Sequence, residues 1–112
     1  MSVNQFQVVP VEVDISDSTT ISDPFSVADF DKGAILTPDT LAGTTLNFQV
    51  STDGIAFFAL RDQDNVANFT NITIAVDLVY NLPVELFNYR TAKLVLGTAE
   101  LADRTFTLFL KG

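Results

Sequence analysis

The stretch Thr44 to Leu60, TTLNFQVSTDGIAFFAL, constrains the fold more than any other part of the chain. Leu46, Phe48 and Val50 alternate with Thr45, Asn47 and Gln49. That two-residue period belongs to a strand with one buried and one wet face. Ser51-Thr52-Asp53-Gly54 follows with turn chemistry. The Asp side chain accepts from nearby backbone N–H groups, and Gly takes the positive φ that a bulged hairpin needs. Strand, tight turn and second strand are predicted, and with them an antiparallel β-protein.

The same period recurs further on. Ile72, Ile74 and Val76 are predicted on one face of a strand over Asn71 to Val76. Ala92, Leu94 and Leu96 are predicted inward over Arg90 to Leu96, as are Phe106, Leu108 and Leu110 over Arg104 to Lys111. Val95 and Phe109 break the polar side of their strands, either as lone exposed apolar residues or as part of a patch. Further short strands are expected over Ser18–Ser22, Phe25–Phe30 and Gly33–Leu36, with turns at Asp23-Pro24, Thr37-Pro38-Asp39 and Arg61-Asp62-Gln63-Asp64-Asn65. One helical turn is expected in Asn81–Phe87, with Pro83 at its first position. About eight short strands, with a turn signal roughly every eight to twelve residues, predict an all-β, jelly-roll-like antiparallel β-sandwich with little or no helix.

The N-terminal piece SVNQFQVVPVEVDIS is β-prone but broken by Pro10, which cannot donate to a ladder. Residues 1–16 are therefore expected to form an edge strand or an extended arm, and residues 17–112 the sandwich domain. A chain of 112 residues suits one domain with its own core, and ten phenylalanines supply ample material for it. No apolar run approaches a membrane span, and MSVNQFQVV has neither the basic nor the apolar region of a secretion signal.

Composition narrows the chemistry. There is no Cys, which excludes disulfides and thiol chemistry, and no His, the usual neutral-pH base and the commonest metal ligand. No G-x-S-x-G or Gly-rich phosphate loop occurs. Nothing marks a catalytic carboxylate pair; Asp77 and Glu85 merely flank apolar segments. No enzyme activity, cofactor or metal is expected. Asp62-Gln63-Asp64-Asn65, joined by Asp53 if the loops converge, offers the start of a calcium site but lacks the glycine and distal Glu of an EF-hand loop, so the turn reading is preferred. Asn68-Phe69-Thr70 and Asn71-Ile72-Thr73 match the glycosylation sequon, but with no leader expected to take them to a glycosylating compartment they are not expected to be modified. Tyr80, Phe87, Tyr89 and Arg90 are the residues most like a sugar-stacking platform, although aromatic residues beside a strand start more often serve the core.

Fourteen acids against six bases give a formal charge of −8, which opposes binding to nucleic-acid phosphates. Met1 to Asp31 holds six acids and no base, whereas Glu85 to Gly112 holds four bases against three acids. These two ends can pair within one molecule or between neighbours; a solvated acidic face that aids solubility is the simpler reading.

Two blocks carry a resemblance. LNFQVSTDGIAFFAL, then NYRTAKLVLGTAELADRTFTLFLKG, resemble small virion-associated proteins of tailed bacteriophages. Those proteins show L-x-F-Q-V-S-x-D-G with an aromatic three residues on, here Gly54 and Phe57. An R-Y-x-K-L-like strand follows, here Arg90 to Leu94, and then A-D-R-x-x-x-L-x-L, here Ala102 to Leu110. Thr91 departs from the pattern, which has an aromatic there, and the N-terminal third is not covered. The S-x-D-G and R-x-x-K-L elements are also similar to those of discoidin-type jelly rolls, which bind sugars or lipid head groups.

The resemblance implies a non-enzymatic structural protein on the virion, assembled in the host cytoplasm. Its expected role is a decoration or cement protein on the capsid surface. The expected partners are the major capsid protein or another virion protein, and further copies of itself in a symmetric homo-oligomer, a trimer being one form. A glycan-binding adhesin module and a small tail or fibre component are the alternatives. Neither nucleic acid nor membrane is an expected partner. Phe6, Val8 and Val9 on the N-terminal arm, with Tyr89 and Arg90, are the expected partner-contact residues. Whether the arm folds back or adds a strand to a neighbour stays open.

Overall fold

The computed structural model describes residues 8–60 and 72–112, which build two antiparallel sheets. The first sheet has the order β1 (Val8–Ile15), β9 (Arg104–Lys111), β3 (Lys32–Leu36), β7 (Val79–Asn81). The second runs β2 (Phe25–Ser26), β8 (Thr91–Leu96), β4 (Thr45–Ser51), with β5 (Phe58–Ala59) and β6 (Ile72–Thr73) both on the far side of β4. The two layers share one core, as a β-sandwich requires. Counting β5 and β6 as one interrupted strand gives eight positions, and the chain passes from sheet to sheet in the order of a jelly roll.

The interruption shows in the register. Gln49 faces Ala59, so a strand continuing in step would bring residue 63 opposite Thr45. Thr73 is there instead, so β6 sits on β4 in a register ten residues later than that of β5. The expected turn at Arg61 to Asn65, the calcium candidate Asp62 to Asn65 and the sequon asparagines Asn68 and Asn71 lie outside the described residues.

The alternation read from the sequence is the alternation in the sheets. Leu46, Phe48 and Val50 on β4, Ala92, Leu94 and Leu96 on β8, and Phe106, Leu108 and Leu110 on β9 are all buried. The core is more aliphatic than ten phenylalanines suggested. Only Phe25, Phe48 and Phe106 are buried among the described residues, while Phe30 and Phe87 pack on the margin and Phe58 is exposed.

β1 is an edge strand paired only with β9, and Val13 and Ile15 place it in the common core. The Asp14 carbonyl points off the sheet, where it accepts from the Asp23 N–H at 3.1 Å. Pro10 has the same parity, so its missing N–H faces the open side and breaks no ladder bond.

Several expected elements are shorter. Of Ser18–Ser22 only Thr20 to Ser22 lies along β8, through the Ile21–Val95 bridge and the bonds from Leu96 N–H to Thr20 and from Ser22 N–H to Leu94, because Ser18 takes φ 67° and Thr19 bonds back to Ser16. The strand begun at Phe25 ends at Ser26; the Val27 N–H still bonds in register to the Arg90 carbonyl, and the chain then turns, Phe30 bonding back to Val27. Val76 is exposed because β6 ends at Thr73 and the chain turns through Asp77 at φ 56°. The helical turn is a 3-10 helix over Val84–Asn88, one residue later than expected, with Pro83 as its cap. The β4–β5 connection is wider than a tight hairpin turn, taking six residues, 52–57, with Gly54 at φ 78°.

Gly33 on β3 is needed for space. A Cβ there would lie 2.9 Å from the Phe109 carbonyl oxygen and from Leu110 Cδ2, and 3.2 Å from Leu82 Cδ1. The backbone oxygen cannot rotate away, so Gly33→Ala must push β3 off β9. A loss of about 1–3 kcal/mol is expected, the usual penalty for overpacking, measured as a lowered urea midpoint.

Candidate interaction surface

The outer face of the first sheet follows from strand parity. Ile35 and Leu108 are buried partners, so their neighbours in the strand point the other way. Across the sheet this sets Val8, Pro10, Glu12 and Asp14 of β1 beside Lys111, Phe109, Thr107 and Thr105 of β9. Next come Lys32, Ala34 and Leu36 of β3, and then Asn81 and Val79 of β7. The Thr105 hydroxyl donates to Asp14 Oδ1 at 2.8 Å on that same face.

A groove of about 450 Å³ opens here, floored by Ala34 and Phe109 and walled by Val8, Leu82 and Val84, with Lys32 and Lys111 at its border. Val8 is 45% exposed and Val84 66% exposed. Phe109 is thus no lone apolar residue; it is the centre of a patch that the sheet assembles from four strands. Its place on a polar face was the one sign of the patch in the sequence. Chemically, such a surface holds an apolar side chain beside an anionic group.

The expected contact residues are distributed as follows. Phe6 lies outside the described residues. Val8 lines the groove. Val9 has the opposite parity and sits at the inner margin of β1, 40% exposed. Tyr89 caps the 3-10 helix and packs partly on the core, while Arg90 is exposed and its backbone ties Ser51 to Val27. The sugar-platform residues do not form an open stack: Tyr80 and Phe87 also pack on the core, and the Tyr80 hydroxyl accepts from the Ala75 N–H at 2.8 Å.

The opposite end of the sandwich is held by a buried acid. Glu100, only 1% exposed, accepts from the Ala42 N–H through both carboxylate oxygens, at 3.1 and 3.0 Å. It also accepts from Arg104 Nε at 2.9 Å, and its backbone bonds to Ser18 and Thr19. Beside it a polar cleft of about 320 Å³ gathers Asp14, Asp23, Asp103 and Arg104. No group of three or more acidic, His or Cys residues among the described ones is arranged to hold a metal. Among them, too, no helix is long and apolar enough to cross a membrane.

The 52–57 loop is ordered by Asp53. Its Oδ1 accepts from the Ile55 N–H at 2.8 Å, the Ala56 N–H at 3.0 Å and the Ser51 hydroxyl at 2.9 Å. Those bonds, Ile55 first and then Ala56, hold its carboxyl below the usual carboxylate range. A lowered native pKa stabilises the fold above the unfolded value of about 3.9 and loses that contribution as pH falls through the native value. Asp53→Asn is therefore expected to flatten part of the loss of stability below about pH 4, read from urea midpoints across an acid series.

No protein-family model matches the chain, and no curated protein matches it. Among solved structures, the fold is similar to the crystal structure of the SPBc2 prophage-derived protein YomS, with a TM-score of 0.55. That likeness covers 93% of this chain and 96% of the other at 13% identity. At that identity it speaks for the shared fold.

Proposed function

We propose that this protein is a non-enzymatic structural component of a tailed-phage virion, docking on the head shell as a decoration or cement protein. The observation that carries this reading is the fold likeness to a prophage-derived protein, which extends over nearly all of both chains. The two sequence blocks that resemble virion-associated proteins point the same way. The groove around Phe109 supplies a surface suited to docking, with the major capsid protein as the intended partner. A repeated shell lets modest contacts per copy give full occupancy. A small tail or fibre component would use the same surface.

The test is the protein content of purified particles from the phage that encodes the chain. Mass spectrometry should find it in stoichiometric amounts, and purified protein should bind heads that lack it. Synthesis in infected cells with no trace in purified particles would overturn the reading.

A further inference from the structure

We propose that two copies pair face to face through the outer side of the β1-β9-β3-β7 sheet, about a two-fold axis lying along its apolar band. The band crosses the sheet as Val8 and Pro10, Phe109, Ala34 and Leu36, then Val79. Its two flanks carry opposite charge. On one side Lys32 and Lys111 are direct partners across β3 and β9. On the other, along β1, are Glu12 and Asp14, beside Thr107 and Thr105.

That polarity selects the geometry. The band runs obliquely over the strands, so an axis along it crosses the strands of the second copy over those of the first, keeping apolar against apolar and laying the lysine flank of each copy toward the acidic flank of the other. An axis along the strands would stack lysines on lysines. Only the first arrangement is self-complementary, and a two-fold contact makes each charge pairing twice. The pairing uses the face proposed to dock on the head, so the two contacts exclude each other: the dimer is the form off the shell, and sedimentation of the protein alone tests it apart from head binding.

The test is sedimentation velocity of the full chain over a concentration series. The wild type should show a monomer–dimer equilibrium. Val84→Asp, at an exposed site beside the band, should weaken it at least tenfold with an unchanged unfolding midpoint. Lys32→Glu/Lys111→Glu and Glu12→Lys/Asp14→Lys should each be monomeric alone, and an equimolar mixture of the two should restore the dimer. A wild type that stays monomeric or forms a trimer, or a mixture that stays monomeric, overturns the proposal. So does a dimer indifferent to all these changes.

Discussion

Phe106→Ala is expected to lower the unfolding free energy by about 3–5 kcal/mol, the range for emptying a phenylalanine site in a close-packed core. Phe106 is fully buried on β9, the strand held between β1 and β3. Its ring fills space that both layers share, and neither layer can collapse into the gap without leaving its ladder. Small domains have only about 5–15 kcal/mol in total, so the variant should sit close to unfolding. Equilibrium urea unfolding should show the midpoint lowered by more than about 1 M. Phe58→Ala is the control: at 68% exposure on the short edge strand β5, it should stay within about 0.5 kcal/mol of wild type. Equal losses at the two positions would mean that the layers do not enclose Phe106.

Glu100→Ala should cost about 3 kcal/mol, at the lower end for breaking a buried ion pair. The change strips an acceptor from the Ala42 N–H and the counter-charge from Arg104, and so loosens the β3–β4 connection from the β8–β9 loop. The lower figure applies because the Arg104 side chain is 17% exposed and can turn partly to water. Glu100→Gln should fall between, since its amide oxygen can still accept from Ala42. In a double-mutant cycle, Glu100→Ala combined with Arg104→Ala should cost less than the sum of the two single changes. Strict additivity would show that the pair carries no coupling.

Much of the sandwich was legible because β4, β8 and β9 each bury one face and wet the other, so polarity itself records the pleat. The acidic turn before Gly54 was legible for a similar reason: Asp and Gly are there for local bonds and a local φ. Ser18–Ser22 misled because a Thr-rich, Ile-containing stretch looks like a strand until Ser18 turns through positive φ. The split between β5 and β6 depends on where the chain rejoins β4, which no local pattern encodes. Glu100 was illegible in a stronger sense. In the run Ala99-Glu100-Leu101 the acid is buried while the leucine is 82% exposed, the reverse of what hydropathy suggests. Only its partners, Ala42 and Arg104, explain it. The groove was only partly legible: Phe109 on a polar face and Val8 on the arm stood out, but Ala34 and Val84 read as ordinary residues and join them only through strand order.

If the protein works through the outer face of β1-β9-β3-β7, a binding titration against phage heads that lack it should depend on that face. Val84→Asp should bind at least tenfold more weakly than wild type while unfolding at the same urea concentration. Equal binding by the two proteins would contradict the account and move the working surface elsewhere on the molecule.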